Sequence, residues 1–503
     1  MIRLSELVRT LGGRCQPEAR AIDREIRDVH IDSRRVDKNA LFAALPGRLF
    51  DGARFVPDAL ERGATAVLSP QLIDPAPGPM AEWSNWVHPE ARRVAGEAAA
   101  LAHGRPSDAM TVIGVTGTNG KSTTVHLVAQ LFERCDRRPG LVGTVGYRLW
   151  GAEPEEATHT TPDATELQRL CARNRENGGD ALVLEVSSHA LDQERIAGLE
   201  LDVAVFTNLS RDHLDYHGSM PAYAAAKERI FSHVKAGGTA AIRAGDPYGE
   251  RMIKAALERK LHVVTFGHGS RCDLFASRVS AGRWGTDLYI EGMGIPRTGL
   301  TLPLVGRFNV ENALAAAAAV LLTEASPSRV LEGLAAVSPP PGRLQRVDTG
   351  ERGFDVFVDY AHTPEALERA LGALREAFAA PTATGGAGRV LCVFGCGGER
   401  DPGKRAPMGR VASRLADVAV VTSDNPRSED PDAIIAAILE GTKTGAAEVV
   451  AVTDRRAAIR RALELAREGD VVLIAGKGHE RWQQLLGREV PFDDTKVAAE
   501  ELP

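Results

Sequence analysis

"VIGVTGTNGKSTT" (112–124) passes from a β-branched apolar run through a glycine-rich turn into the start of a helix. Strand, tight turn and helix in that order form the repeating unit of α/β domains. Gly114, Gly117 and Gly120 let the backbone turn sharply and aim N–H groups inward at an anion. Lys121 follows within reach of terminal phosphates, and the Ser122 hydroxyl suits a Mg²⁺ ion. The spacing departs from the usual phosphate loop. The first glycine of G-x₄-G-K falls on Val115, and the fit is to G-x-x-G-x-x-G-K-S instead.

Outward from this stretch the pattern repeats. "TVIGV", "ALVLEV", "LDVAVF", "TAAIRA" and "HVVTF" alternate with helical segments from Thr111 to about Ser338, which predicts a parallel sheet with helices on both faces. Before it, short strand-like pieces ("DVHIDSRRV", "ALFAAL", "ATAVL"), a Pro-rich "DPAPGPM" and the helical "HPEARRVAGEAAALAHG" make a small α/β unit, and "RPSD" (105–108) reads as a linker. After the breaker "SPPPGR" (338–343), "FDVFVDY", "RVLCVFG", "DVAVVTS" and "DVVLIAG" each precede polar residues and a helix, a second doubly wound domain. The reading is α/β with three domains: a small N-terminal domain over 1–107, a central P-loop-type domain with a mostly parallel sheet over 108–338, and a Rossmann-like domain over 339–503. "PTATGGAG" (381–388) reads as a mobile loop.

A length of 503 residues exceeds what one core supports and matches that division. With 44% hydrophobic residues, 25% charged residues and a net charge of −6, the chain is a globular protein and not a nucleic-acid binder relying on bulk positive charge. The six cysteines are scattered, and no His/Cys cluster completes a zinc site around Cys392 and Cys396. They read as interior thiols of a reducing compartment. "MIRLSELVRTLGG" is no signal peptide, and the longest apolar run, Ala313 to Leu322, is too short to span a membrane. A cytoplasmic location follows as the expectation.

Ligands of doubly wound sheets bind beyond the carboxyl ends of the strands, so the strand ends carry the candidates. "ALVLEVSSHALDQERI" (181–196) ends its strand in Glu185, which reads equally as a metal ligand or a strand-end salt bridge. "VFTNLSRDHLDYHG" (205–218) places His213 in a dense polar cluster, as a metal ligand or a satisfied polar histidine.

The ordered set "GVTGTNGKST", "TTPD", "EVSSHAL", "NLSRDHLDYHG", "AAKERIF", "GRFNVENALAA", "PGRLQRV", "DYAHTPEAL", "FGCGGERDPGKR", "DNPRSEDP" and "AGKGHE" resembles the ATP-dependent Mur ligases, builders of the peptide stem of cell-wall precursors. The likeness runs from about residue 31 to 494, and is greatest to the form that adds the third residue. It implies a uridine-nucleotide domain, a central ATPase domain and a C-terminal amino-acid domain, acting as a monomer without nucleic acid or membrane span. The implied reaction joins meso-diaminopimelate to the D-glutamate γ-carboxylate of UDP-MurNAc-L-Ala-D-Glu through an acyl phosphate. The implied cofactors are ATP and two Mg²⁺ ions. Gly117, Thr118, Asn119, Gly120, Lys121, Ser122 and Thr123 would hold phosphates, and Ser122, Glu185, His213 and a CO₂-derived carbamate on Lys227 would hold the metals. Read from sequence alone, Lys227 in "AYAAAKERIF" is a solvated helix lysine, and only the resemblance makes it a ligand. Asn312, Arg343, Asp359 and His362 resemble adenine, phosphate and ribose contacts. Thr160, Thr161, Ser187, Gln193 and Arg195 match muramoyl-peptide positions, and Ser33 a uridine position.

"DNPR" decides which amino acid is added. A guanidinium holds a carboxylate bidentately, and left unpartnered in a closed pocket it costs on the order of 2–5 kcal/mol. Arg427 is therefore expected to select diaminopimelate, which carries a distal carboxylate, over lysine, which does not. Pro426 fixes the turn, Asp424 and Asn425 offer polar contacts, and Arg400, Gly476 and Glu480 match the remaining amino-acid contacts. The bland reading is a type I turn with a solvated arginine. The rival functions are a lysine-adding ligase, which should lack "DNPR"; folylpolyglutamate synthase, which has no evident use for a uridine-binding domain; and a catalytically dead scaffold, which need not keep Lys121, Glu185, His213 and Lys227 together. A switch GTPase predicts G-x₄-G-K at the phosphate loop, followed by Ser or Thr, together with N-K-x-D, and neither is found.

Overall fold

A computed structural model describes residues 1–17, 23–47, 50–73, 83–379 and 388–502. "DPAPGPM" and residues 381–387 of the glycine-rich stretch lie outside these. The described residues fall into two compact units, one holding 1–275, 292–295 and 311–333, the other 276–291, 296–310 and 334–503.

The first unit contains two large sheets and a two-stranded ribbon in which Ile2–Arg3 pairs antiparallel with Glu25–Ile26. Near the N-terminus, Asp28–His30, Ala40–Ala43, Ala64–Ser69 and Ser84–Val87 run parallel, with Arg14–Gln16 antiparallel at the edge. Alternation along these strands sends Leu41 and Ala43 into one apolar cluster and Ala40 and Phe42 into another. The second sheet places Pro139–Gly143, Ala181–Glu185, Thr111–Thr116, Leu201–Phe206, Val234–Arg243 and His262–His268 side by side in parallel. Thr111–Thr116 is thus central, with the strands ending in Glu185 and Phe206 on either side of it. A parallel strand buried on both faces must be apolar throughout, and Ala181–Glu185 is buried along its whole length, carboxylate included.

Two sequence expectations change. "RPSD" is no loose linker: Pro106–Ala109 is a 3₁₀ turn with Pro106 and Ser107 buried. The strand–helix alternation is also interrupted by three consecutive strands, Leu274–Gly282, Gly285–Gly292 and Ile295–Leu302. Two-residue connections leave no room for a crossover helix, so these strands must reverse direction.

The second unit carries a sheet ordered Gln345–Val347, Asp355–Asp359, Val471–Ala475, Val390–Phe394, Val418–Val421, Glu448–Ala451, parallel except for its first strand. Along Val390–Phe394, Val390, Cys392 and Phe394 join one apolar cluster, while Leu391 and Val393 join the other. Both faces are therefore covered, as a doubly wound fold requires. The apolar run noted in the sequence lies in the helix Arg307–Leu321, with Ala313 to Val320 buried. Cys171, Cys392 and Cys396 are buried thiols, and all six cysteines are unpaired.

Candidate active site

After Thr111–Thr116 the chain turns through Gly117, at φ 150°, and Gly120, at φ 85°, before the helix Lys121–Arg134 begins. Both glycines are required twice over. Their backbone is left-handed, and a Cβ would collide with Thr207 Oγ1 at Gly117 and with Asn312 Oδ1 at Gly120. The loop is laced to the next strand end: Thr118 N donates to Asn208 O at 2.9 Å and Asn119 N to Asn208 Oδ1 at 3.0 Å. Thr207 Oγ1 donates to Asn119 O at 2.7 Å. Lys121 folds over the loop, its ammonium on Gly117 O and Thr118 O at 2.9 Å each. Ser122 and Thr123 sit buried in the first helical turn, where orphan N–H groups and the dipole favour anions. Asn312, from the helix Arg307–Leu321, closes the loop's far side.

Lys227 is the largest departure from the solvated reading. The helix Met220–Glu228 is capped by Ser219, whose hydroxyl accepts from Ala222 N, and its last turn turns Lys227 inward. The side chain is 1% exposed, donates to Gly117 O at 2.8 Å and lies over the Tyr223 ring at 4.6 Å. Burial, reinforced by the Lys121 charge, pushes its amine well below the ordinary lysine range, toward the neutral form. Glu185, 1% exposed, accepts from Thr144 N at 2.7 Å and from the Thr144 hydroxyl at 3.2 Å. Thr144 in turn meets the Thr160 hydroxyl at 3.0 Å. His213 holds a left-handed backbone at φ 52° and packs edge-on against His189. Burial lowers its pKa, opposed by Asp212, and the nearby Lys121 charge lowers it further. Lys121, His213 and Lys227 thus share one neighbourhood.

Among the described residues no three His, Cys, Asp or Glu groups converge on one point. A metal here would draw on Glu185 and His213 together with oxygen donors of other kinds. A buried carboxylate that accepts from the neutral donors of Thr144, a hydroxyl at the helix start and a neutral buried amine competent to become a carbamate fit a hard divalent cation.

Thr161, fully buried, donates its hydroxyl to Glu185 O at 2.7 Å and accepts from Ser187 N at 3.1 Å. Ser187 caps the helix Ser188–Asp192 by accepting from Ala190 N at 3.1 Å. Arg195 grips Gln193 Oε1 through Nη2 at 2.9 Å and Thr161 O through Nη1 at 3.0 Å. Gln193 and Arg195 line a cavity of about 220 Å³ with Arg92, His159 and Asp163, whose apolar wall includes Ile31 and Leu45. The sequence reading passed over Arg92, His159 and Asp163, because each resembles an ordinary surface or cap residue. Asp163 does also cap the helix Ala164–Glu176, accepting from Thr165 N and Glu166 N. Ser33 does not line this cavity. It is buried in the 3₁₀ turn Ser33–Arg35, where its hydroxyl bond helps hold the Asp58 carboxyl below its ordinary pKa.

In the second unit, Arg343, Asp359 and His362 gather around Tyr360. The Arg343 guanidinium lies over its ring at 4.7 Å, and the His362 ring meets it at 4.6 Å. Asp359 accepts from Leu344 N at 2.7 Å and Ala361 N at 2.9 Å, although burial holds its carboxyl above the usual range. His362 donates Nδ1–H to Tyr360 O at 2.8 Å, and burial lowers its pKa.

"DNPR" is not a free surface turn. Asp424 and Asn425 are both 7% exposed, beyond the end of Val418–Val421. Arg427 is left-handed at φ 55° and donates its backbone N–H to Gln484 O at 3.1 Å. Its Nη1 donates to Gly398 O at 2.6 Å. A Cβ at Gly397 would stand 3.0 Å from that nitrogen, so glycine leaves room for the guanidinium. A side chain at Gly476, φ 118°, would strike Asp424 Oδ2, while Asn425 Nδ2 donates to Glu480 Oε2 at 2.8 Å. Asp424, Asn425, Gly476 and Glu480 are therefore one cluster. Arg400 is exposed beside it, its Cγ 3.7 Å from the Gly397 Cβ position. Beneath lies Arg455, which sequence gave no reason to single out. Completely buried, it pairs with Asp494 at 2.8 and 2.6 Å and donates to Ala475 O at 3.1 Å and Ser423 O at 3.4 Å.

Comparison with known proteins gives a single picture. Residues 115–320 match the Mur ligase middle domain, 342–478 the Mur ligase, glutamate ligase domain, and 25–97 the Mur ligase family, catalytic domain. The chain is similar to UDP-N-acetylmuramoyl-L-alanyl-D-glutamate--2,6-diaminopimelate ligase of Chromobacterium violaceum, 45% identical over 95% of this chain and 94% of that protein. The protein of the same name from Syntrophomonas wolfei is 40% identical over 99% of both chains. A solved structure bearing that name superposes with a TM-score of 0.68 at 34% identity, over 95% of this chain and 94% of that one. Folylpolyglutamate synthase of Mycobacterium tuberculosis superposes with a TM-score of 0.61 at 22% identity over 76% of this chain and 91% of its own, a likeness of fold alone.

Proposed function

The chain belongs to the Mur ligase family, and from that premise we propose that it is the ATP-dependent ligase adding meso-diaminopimelate to UDP-MurNAc-L-Ala-D-Glu. The domains take the bounds 1–107 for the uridine nucleotide, 108–338 for ATP and 339–503 for the amino acid. The enzyme works as a monomer in the cytoplasm, in peptidoglycan precursor synthesis.

Two anions must meet in the first step. The D-glutamate γ-carboxylate attacks the γ-phosphorus of ATP, the bond to ADP breaks, and an acyl phosphate forms. The diaminopimelate amine then attacks the acyl carbon, and the tetrahedral intermediate loses a proton and phosphate to leave the amide. Positioning and charge neutralisation carry such a reaction. Gly117 to Thr123 cradle the phosphates, and Lys121 moves from its loop carbonyls to the terminal phosphate. Asn312 closes the loop's far side, while Arg343, Asp359 and His362 supply the second unit's nucleotide contacts. Thr160, Thr161, Ser187, Gln193 and Arg195 orient the muramoyl-peptide, and Ser33 serves the uridine. Ser122, Glu185, His213 and the Lys227 carbamate would hold Mg²⁺, which when bound neutralises charge between phosphate and carboxylate. A neutral amine is what carbamate formation needs, since its lone pair attacks CO₂ and a proton leaves; the depressed pKa of Lys227 supplies it.

The substrate assignment rests on Arg427, a guanidinium seated on Gly398 O beside the Asp424–Glu480 cluster. A lysine substrate would leave that charge without its carboxylate. Phosphate release with the UDP-muramoyl-dipeptide, ATP and either meso-diaminopimelate or L-lysine tests the reading. Release with diaminopimelate alone is expected. Release with lysine alone would remove the specificity assignment, and release with neither would remove the ligase.

A further inference from the structure

Lys477 belongs to "AGKGHE" but has no part in the contacts assigned above. Its side chain is completely buried at the end of the strand Val471–Ala475. The ammonium donates to Trp482 O at 2.5 Å, Glu480 Oε2 at 3.1 Å and Asn425 Oδ1 at 3.2 Å. Its three protons thus meet three acceptors, and two of these belong to the amino-acid cluster.

The consequence falls on Glu480. Its Oε2 accepts from both Lys477 and Asn425 Nδ2, whereas no hydrogen bond to Oε1 is found among the described residues. Asn425 is fixed in the same way. Its Oδ1 takes Lys477 and Gln484 N, at 3.2 and 3.0 Å, which leaves its amide nitrogen facing Glu480. A buried cation behind the pocket therefore orients both side chains and leaves one carboxylate oxygen pointing away from the saturated side. An unpinned glutamate at 34% side-chain exposure would rotate freely between solvent and pocket.

We propose that Lys477 is a positioning residue for the amino-acid substrate: it clamps Glu480 Oε2 and Asn425 Oδ1 so that Glu480 Oε1 alone receives the substrate ammonium. This rests on the ligase reading above. Preorganisation of this kind acts on the affinity for one substrate and leaves the others untouched.

The test is steady-state phosphate release by the full-length Lys477→Gln enzyme, varying each substrate in turn. The KM for diaminopimelate should rise about tenfold or more, with the KM values for ATP and the UDP-muramoyl-dipeptide within about twofold of wild type. Lys477→Arg, which keeps the charge, should recover part of the loss. Adding Glu480→Gln to Lys477→Gln should change the KM much less than Glu480→Gln does in the wild type, because both act through one carboxylate. If the glutamine variant is recovered unfolded, Lys477→Met carries the same expectation. A diaminopimelate KM that is unchanged, that falls, or that rises in step with the ATP KM overturns the proposal, as does additivity of the two substitutions. Inactive wild type with diaminopimelate overturns the ligase reading together with this one; active wild type with unmoved variants overturns this one alone.

Discussion

Lys227 and Arg427 show how far a residue's surroundings change its chemistry. Both are cations in polar sequence, and read in isolation each resembles a solvated surface residue. Burial against Gly117 O and Tyr223 drives the Lys227 amine toward its neutral form, the form that the proposed carbamate needs. Lys227→Ala should abolish measurable ligation while leaving ATP binding within about tenfold, read by phosphate release and by calorimetric titration with a non-hydrolysable nucleotide. Retained activity would exclude the carbamate. Arg427 is held by Gly398 O, with its backbone pinned to Gln484 O. Arg427→Lys should raise the diaminopimelate KM between about 10- and 100-fold with little change for ATP, since an ammonium cannot reproduce the bidentate fork. Equal effects on both substrates would count against its role.

At the scale of elements, function depends on how strand ends are braced. Gly117 and Gly120 combine left-handed backbone with space already taken by Thr207 and Asn312. Gly120→Ala should lower kcat/KM for ATP by about a hundredfold, because a loop displaced by one side chain misplaces every N–H aimed at the phosphates. The second brace is the Arg455–Asp494 pair, which joins the helices Arg455–Leu465 and Asp494–Glu500 and supports the ends of two strands through Ser423 O and Ala475 O. Arg455→Met alone should cost about 3–5 kcal/mol, because Asp494 is left buried without its partner. The double variant Arg455→Met/Asp494→Leu should recover most of that. Urea unfolding measures both, and a double variant no more stable than the single would contradict the account.

Across the whole molecule, acid sensitivity should concentrate in the first unit. Burial lowers His126, His189 and His233 there to a pKa of about 4, from an ordinary value of 6.5. Between those values the unfolded chain binds protons that the folded chain refuses, so stability must fall as pH drops from 6.5 toward 4. Urea midpoints measured across that window should decline, and His126→Phe should flatten the decline; an unchanged slope would remove burial of His126 as a cause. Much of this molecule was legible beforehand. Apolar runs separated by turns announced parallel sheets, since a strand covered on both faces must be apolar throughout, and the glycines before Lys121 announced the tight turn from Thr111–Thr116 into the helix Lys121–Arg134. The three consecutive strands over 274–302 escaped notice, their half-exposed alternation being weaker than the signal of a buried strand. Lys477, Arg455 and Asp163 escaped as candidates for a different reason, and Lys227 was one only through the family resemblance. Sequence by itself determined the order of strands and helices, the family motifs and the identity of each charged group. Only the tertiary structure decided which charges lost their water. Desolvation depends on what packs against a side chain from distant parts of the chain, and it is desolvation that sets Lys227 and Lys477 apart from solvated lysines.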